Sequence, residues 1–247
     1  MIPIEVIGGS FRLPHFSFAE STVPCRVRCA YFNPAREKGN LDTMKNEKLR
    51  RLVTCALLLA VSAVLSIFPK FKFLANGGSI TFCSMLPIIV ASYMYGIRAG
   101  LLTGFAFSLI QLITGFSGSG LGPVAFVVEL LFDYVVAFTV LGLGGMFRKW
   151  ENERSALAAG AFTVTFLRFL SHLISGIVVW GEYAEWFFES LSTFGESIMS
   201  RFSGGALVFL YSAIYNGSYM IPEIIITTVA AAIIAPFIKK QMDTESH

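Results

Sequence analysis

The chain has 247 residues, of which 55% are hydrophobic and only 14% are charged, and its formal net charge is +3. An average soluble domain carries about 25% charged residues, so this composition disfavours a soluble enzyme, a disordered protein and a nucleic-acid-binding protein. The scarcity of charge, with 24 phenylalanines and 22 glycines, is typical of a membrane protein with several spanning helices.

Residues 1–43 differ from the rest of the chain, because they are mixed in composition and show no helical periodicity. They do not form a signal peptide, since no apolar stretch follows a basic start. Met44 directly precedes a basic cluster and the first apolar segment. We therefore interpret 1–43 as a disordered tail or as sequence upstream of the true start, 44–240 as the membrane domain, and 241–247 as a C-terminal tail.

A spanning helix needs about 20 apolar residues, and segments near that length predict an all-α protein with six transmembrane helices. The second segment is short and contains Pro87, and only Gly96 separates it from the third, so these two are expected to form a tight helical hairpin. The predicted helices are Leu52–Phe68, Ile80–Tyr95, Ile97–Gly115, Pro123–Phe147, Ser155–Trp180 and Tyr219–Ile238.

The stretch 205–215 is also apolar, and joined to the sixth helix it would be about 50 Å long, too long for one bilayer. The triplet Asn216-Gly217-Ser218 is typical of a turn. We therefore predict a separate short helix at 205–215 and a break at the triplet. Pro222 then falls in the first turn of the sixth helix, where its missing N–H costs little.

The distribution of lysine and arginine predicts the orientation, because cytoplasmic loops are enriched in these residues. One side of the predicted bundle carries ten and the other carries three, so both termini are predicted to lie in the cytoplasm, with the chain in the plasma membrane. The ten are Lys45, Lys48, Arg50, Arg51, Arg98, Arg148, Lys149, Arg154, Lys239 and Lys240, and the three are Lys70, Lys72 and Arg201.

Ionisable residues inside the predicted helices mark either function or a buried pair. Glu129 and Asp133 lie four residues apart, so a regular helix places them on one face. Arg168 lies one turn from His172 and has the alternative role of pairing with Asp133 or Glu129. Glu223, near the start of the sixth helix, is the fifth such residue.

Polar and aromatic groups of distant segments are predicted to meet in the outer half of the bilayer. Asp133 lies about 15 Å from the start of its helix, and His172 about 12 Å from the end of its own at Trp180. The cytoplasmic halves carry few polar groups, which favours an outward-facing pocket over an ion path. Carboxylates with aromatic rings indicate a flat, cationic ligand. The residues that support this prediction are Glu129, Asp133, His172, Gly176, Trp180, Tyr211, Tyr215, Asn216, Tyr219 and Glu223.

Known catalytic patterns are missing from the sequence. It contains no G-x-x-x-x-G-K-[ST], H-E-x-x-H or G-x-S-x-G pattern and no Cys/His metal cluster, so we predict no catalytic residues, no metal and no cofactor. Movement of a ligand would then require a partner. Ala56, Ala60 and Ala63 form a stripe of small residues that favours close helix approach, either to a partner or within the bundle.

From about Lys45 to Lys240 the chain resembles the thiamin-specific substrate-capture subunit (S component) of energy-coupling factor (ECF) transporters. The matching stretches are Gly78-Ser79-Ile80-Thr81, Ser84-Met85-Leu86-Pro87-Ile88, Tyr95-Gly96-Ile97-Arg98-Ala99-Gly100-Leu101, Asp133-Tyr134-Val135-Val136-Ala137-Phe138, Arg168 to His172 with Gly176 and Trp180, and Tyr215-Asn216-Gly217-Ser218-Tyr219 with Glu223.

The resemblance implies a six-helix S-component fold that binds thiamin from the extracytoplasmic side. It also implies a transmembrane coupling subunit and two cytoplasmic ATPases as partners, with Ala56 and Ala60 on the docking face. In the family pocket an acid followed by Tyr corresponds to Asp133 and Tyr134. Further family positions correspond to His172, Gly176, Trp180, Tyr211 and Asn216. Two alternatives remain open: the same fold binding another vitamin or precursor, and an autonomous secondary transporter.

Overall fold

The computed structural model describes residues 34–67, 70–72, 79–116 and 118–245. The chain divides into two compact units, residues 1–42 and 43–247, and the second contains the helical bundle. Most of the predicted N-terminal extension, with Cys25 and Cys29, lies outside the described residues, and the interpretation of 1–43 stays a prediction. The first described helix begins at Pro34.

The described part of the chain is almost entirely helical, with one pair of short antiparallel strands. Its elements are α1 (Pro34–Ile67), β1 (Lys70–Lys72), β2 (Ser79–Thr81), α2 (Leu86–Tyr95), α3 (Ile97–Gly115), α4 (Pro123–Glu129), a π-helical turn (Leu130–Val135), α5 (Val136–Thr139), a 3-10 turn (Val140–Leu143), α6 (Glu153–Val178), a second 3-10 turn (Trp180–Tyr183), α7 (Ala184–Glu189), α8 (Ser192–Met199) and α9 (Gly204–Glu245).

Five described segments are long and apolar enough to cross a membrane, and α2 is a shorter apolar helix. Their outer surfaces carry large apolar side chains such as Leu102, Ile113 and Phe237, each more than 70% exposed. Apolar exposure of this extent is expected when the surrounding solvent is lipid. The five segments are Asn46–Ile67, Ile97–Gly115, Pro123–Leu143, Glu153–Val178 and Gly204–Glu245.

The second predicted helix is shorter than the sequence indicates, so the count of six spanning helices becomes five with one short helix. Ile80 pairs with Phe71 in the β1–β2 ribbon, and Cys83 has a left-handed backbone with φ of 55°. Both features hold the chain out of a helix until Leu86. Pro87 then lies in the first turn of α2, where a proline is tolerated.

The fourth predicted helix is irregular. Residues 123–129 are α-helical, 130–135 form a π turn, 136–139 return to α-helix and 140–143 are 3-10. A π turn widens the helix locally, because its hydrogen bonds span five residues instead of four. Asp133 lies within this turn.

The predicted break at Asn216-Gly217-Ser218 is wrong, because α9 continues without interruption from Gly204 to Glu245. A helix of 42 residues is about 63 Å long. The Asn216 side-chain amide donates to the Ser212 carbonyl at 3.0 Å, and the Ser218 hydroxyl donates to the Tyr215 carbonyl at 2.7 Å. Since these side chains bond back to the preceding turn, they do not compete for the helical backbone. Pro222 consequently lies inside α9 and not in a first turn.

Close helix packing in the bundle depends on small residues. A side chain on Gly100 of α3 would overlap the Gly142 carbonyl and the Ser92 side chain. The fully buried Ser92 hydroxyl donates to that same carbonyl at 2.5 Å and accepts from the Gly145 N–H at 2.9 Å. α2, α3 and the 3-10 turn at 140–143 are therefore held together by direct backbone approach.

We expect Gly100→Ala to lower the thermal unfolding midpoint of the detergent-solubilised protein by several degrees, since overpacking of a filled interface costs about 1–3 kcal/mol. Gly115→Ala is the matched control on the same helix, because a side chain there meets no atom within 4 Å. An equal midpoint for the two variants would contradict the packing described here.

Candidate ligand-binding site

The Asp133 carboxylate, on the π turn, is the centre of a hydrogen-bond cluster. His172 Nδ1 lies 2.9 Å from its Oδ1, and the Ser175 hydroxyl donates to its Oδ2 at 2.6 Å. The Trp180 indole N–H donates to the same Oδ2 at 3.4 Å. Three donors compensate the carboxylate for the water it loses on burial, and the Asp133 side chain keeps 18% of its surface exposed.

The three donors come from one helix and the turn that follows it. Ser175 lies three residues after His172 on α6, so both side chains point toward the π turn. The Ser171 hydroxyl donates to the carbonyl of Phe132 at 2.6 Å and joins α6 to that turn. Trp180 begins the 3-10 turn directly after α6. The contact between α6 and the π turn thus positions the three donors.

Arg168 pairs with Glu223, and the predicted alternative of a pair with Asp133 or Glu129 is wrong. The Arg168 Nη1 to Glu223 Oε2 distance is 3.4 Å, and both side chains are largely buried. The other Glu223 oxygen accepts from the Thr81 N–H and hydroxyl, each at 2.6 Å. Glu223 therefore joins α9 to β2 as well as to α6.

Asn216 and Tyr219 of α9 lie on the other side of His172. The Asn216 side-chain amide donates to the His172 backbone carbonyl at 3.3 Å, and the Tyr219 hydroxyl donates to the Asn216 side-chain oxygen Oδ1 at 2.6 Å. The Tyr219 ring meets the His172 ring edge-on, with centroids 6.2 Å apart. These two residues therefore belong to the same cluster as Asp133.

Gly176 allows α6 and α9 to approach each other. A side chain at this position would overlap the hydroxyl of Ser212 and press on the Asn216 amide. The Ser212 hydroxyl also donates to the Leu173 carbonyl at 2.9 Å. In the structure, Gly176 therefore acts through helix packing, which brings Asn216 to His172.

Tyr211 lies in an aromatic cluster beyond the Asp133 group. Its ring is buried and lies 5.2 Å from the Phe187 ring and 5.7 Å from the Tyr215 ring. Tyr215 in turn lies 6.2 Å from Tyr219. The three tyrosines, four residues apart, form a continuous row on α9 that leads from α7 to the His172 ring.

Glu129 and Tyr134 form hydrogen bonds with the end of α3 and with the segment that follows it. Glu129 is buried and accepts from the Ser119 N–H at 3.0 Å, so it anchors the segment before α4. The Tyr134 hydroxyl donates to the carbonyl of Gly115 at 3.0 Å. The hydrogen bonds of Glu129 thus differ from those of Asp133, although the two residues lie four positions apart on neighbouring turns.

Ser175 was not singled out from the sequence, although its spacing carries a signal. Counted from Ser171, the residues His172, Ser175 and Gly176 follow at one, four and five positions. This spacing places all four on one buried face of α6. A run of small and polar residues on one face of an apolar helix indicates a packed polar site.

A separate groove of about 450 Å³ lies beside the cluster. It is lined mainly by valine and isoleucine side chains, and Glu182 is the charged residue of its lining. The predicted ligand-binding residues are absent from its lining. The lining residues are Leu121, Val124, Ala125, Val128, Ile177, Val178, Val179, Gly181, Glu182 and Val208.

The small residues of α1 differ in exposure. Ala56 and Ala60 are exposed, whereas Ala63 is half-buried and packs against the core. Large apolar neighbours on α1, including Leu57 and Val64, are more than 60% exposed. The first two alanines thus lie in an apolar surface that is available for contact.

Comparison with known proteins identifies the family. Residues 52–194 match the family model described as thiamine transporter protein (Thia_YuaJ). The chain is 29% identical over 201 residues to the thiamine transporter ThiT of Bacillus subtilis (strain 168), covering 77% of this chain and 92% of that protein. A ThiT of Lacticaseibacillus paracasei is 26% identical over 160 residues, covering 61% of this chain and 70% of that protein.

A solved structure of ThiT from Listeria monocytogenes has the same fold. The TM-score is 0.58 at 21% identity, and the match covers 79% of this chain and 98% of the other. More than half of the chain matches the family model. The chain therefore belongs to the thiamine transporter protein family (Thia_YuaJ).

Proposed function

We propose that this chain is the thiamin-binding membrane subunit of an energy-coupling factor importer and captures thiamin from the extracytoplasmic side. One observation carries the proposal: a partly exposed carboxylate, Asp133, is held among indole, imidazole and phenol rings within a chain of the thiamine transporter family. In this account the chain binds and releases its ligand and catalyses no reaction.

The ligand chemistry agrees with the arrangement of side chains. Thiamin has a permanently positive thiazolium ring and a flat aminopyrimidine. A carboxylate supplies the counter-charge for such a cation, and ring faces add a cation–π attraction. Asp133 provides the counter-charge, and the rings of Trp180 and Tyr219 provide the cation–π attraction. A permanent cation keeps its charge at any pH, so the ligand does not lose this attraction by deprotonation.

Energy coupling is assigned to partners. The exposed alanines of α1, Ala56 and Ala60, form a surface on which another transmembrane helix packs closely. We assign this surface to a transmembrane coupling subunit that works with two cytoplasmic ATPases. The excess of lysine and arginine near both ends of the bundle supports a cytoplasmic location for the two termini.

Asp133→Asn is expected to weaken thiamin binding by about a hundredfold or more, because a desolvated cation loses its counter-charge. Trp180→Ala is expected to weaken it by about thirtyfold, since buried tryptophans dominate recognition sites. Isothermal titration of the detergent-purified protein measures both.

The matched control is Trp186→Ala on α7, whose side chain is 50% exposed and is expected to change the affinity by no more than about twofold. Equal losses for Trp180→Ala and Trp186→Ala would contradict the assigned site. Tighter binding of another vitamin or of a precursor by the wild-type protein would contradict the assignment of thiamin as its ligand.

Ala60→Leu is expected to abolish uptake while leaving thiamin affinity unchanged, because the added bulk separates the two helices at the docking surface. Radiolabelled uptake in cells that supply the coupling subunit and ATPases measures transport, and titration of the same protein measures binding. Val229→Leu, on an exposed face of α9, is the control and should transport normally. Normal uptake by Ala60→Leu would overturn the docking assignment.

Proteoliposomes test the alternative of an autonomous transporter. The chain alone is expected to accumulate no thiamin under an ion or proton gradient, since the account assigns energy coupling to separate ATPases. Uptake should appear only when the coupling subunit, the ATPases and ATP are added. Gradient-driven accumulation by the chain alone would contradict the proposal.

A further inference from the structure

We propose that Arg168 is a positioning residue, which fixes the ring proton of His172 on Nδ1 and so keeps the negative charge of Asp133 available to a cationic ligand. This inference rests on the proposed function for its ligand. It assigns a role to a residue that contacts neither Asp133 nor the groove beside it in the described contacts.

The neighbours of His172 determine its tautomer. Arg168 Nε lies 3.3 Å from His172 Nε2 in hydrogen-bonding geometry. An arginine N–H can only donate, so Nε2 must accept and carries no proton. The proton of the neutral ring then lies on Nδ1, which is 2.9 Å from Asp133 Oδ1. His172 therefore donates to Asp133 as a neutral imidazole.

Arg168 is held in place by several contacts. Its Nη1 contacts Glu223 Oε2 at 3.4 Å and the Met85 sulfur at 2.8 Å. Its guanidinium carbon lies 4.5 Å from the centre of the Phe138 ring. The Arg168 side chain is only 11% exposed. Partners on α5, on α9 and directly before α2 thus fix the guanidinium against the imidazole.

The protonation of His172 determines the net charge of the cluster. Arg168 and Glu223 cancel each other, and a neutral His172 leaves the net charge of the cluster at minus one, on Asp133. A second proton on His172 would lie on Nε2 and face the positively charged guanidinium of Arg168. It would also change the net charge of the cluster from minus one to zero. The groups that face the imidazole are Asp133 from the π turn, Arg168 from α6 and the neutral phenol of Tyr219 from α9, with Glu223 behind Arg168.

The experiment measures thiamin affinity by titration between about pH 8 and about pH 6, on either side of the usual imidazole titration near 6.5. Three proteins are compared: wild type, Glu223→Gln, and the double variant Arg168→Met with Glu223→Gln. The double variant is used because Arg168→Met alone would leave Glu223 buried without a counter-charge. The amide introduced by Glu223→Gln keeps an oxygen that accepts from Thr81.

Wild-type affinity is expected to stay constant across this range. Glu223→Gln is expected to bind more weakly at every pH but with the same flat profile, because Arg168 still faces His172. The double variant, whose net cluster charge equals that of wild type, should bind well at the upper pH and lose about tenfold at the lower pH. A flat profile for the double variant would overturn the proposal, since a purely structural role predicts a loss that is equal at all pH values.

Nitrogen NMR of ligand-free protein tests the same inference without thiamin. The chain has three histidines, His15, His172 and His247, and a His172→Asn variant assigns the ring signals of His172 in ¹⁵N-histidine-labelled protein. We expect a protonated Nδ1 and an unprotonated Nε2 in wild type throughout the range. A proton on Nε2 would overturn the inference even if thiamin binds. Absence of thiamin binding together with the expected tautomer would instead contradict only the proposed function.

Discussion

A carboxylate within an apolar bundle requires hydrogen-bond donors, and the arrangement of this molecule around Asp133 satisfies that requirement. The donors come from His172, Ser175 and Trp180, all on α6 or the turn after it. α6 must therefore lie at a fixed depth and rotation beside the π turn. The Ser171 hydroxyl on the Phe132 carbonyl and the absence of a side chain at Gly176 fix that placement from two sides.

The irregular parts of the backbone lie where the polar cluster is. The π turn at 130–135 carries Asp133, and the 3-10 turn at 180–183 carries Trp180. Glu129 ends α4, and the π turn begins at the next residue. Glu129 then anchors the segment before α4, and Asp133 faces α6. The two carboxylates thus have different roles, although they lie only four residues apart.

A second set of contacts connects this cluster to β2. Thr81 donates twice to Glu223, Glu223 pairs with Arg168, and Arg168 donates to His172. The chain of contacts crosses from β2 through α9 to α6 without leaving the buried interior. Each charged member has a partner of opposite charge or a hydrogen-bond donor, which is the condition for stable charge within a bundle. Thr81, Glu223, Arg168, His172 and Asp133 therefore belong to one connected network.

Much of the fold follows from the sequence because apolar length determines a spanning helix. The structure places α3 at Ile97–Gly115, the predicted bounds, and α6 within two residues of the predicted ones. The sequence also predicted that Asp133, His172, Trp180 and Asn216 converge, because the distance of a residue from the end of its helix indicates its depth in the membrane. The π turn was not predicted, because a shift of hydrogen bonds from i+4 to i+5 changes no residue type.

The Arg168–Glu223 pair and the continuity of α9 could not be predicted either, because both depend on contacts between residues that are distant in sequence. The pairing of Arg168 with Glu223 joins residues 55 positions apart, and nothing in local spacing selects Glu223 over Asp133 or Glu129. The continuity of α9 depends on Asn216 bonding to Ser212 and to the His172 carbonyl. Turn propensity at Asn216-Gly217-Ser218 is a local preference, and contacts from another helix outweigh it.

A structure of the protein with thiamin bound tests the central claim most directly. The account predicts that the thiazolium ring lies within about 4 Å of the Asp133 carboxylate, the range in which opposite charges interact strongly. It also predicts that the indole of Trp180 lies against one of the ligand rings. Thiamin bound in the groove between Val124 and Val208, with Asp133 still contacting only His172, Ser175 and Trp180, would contradict it.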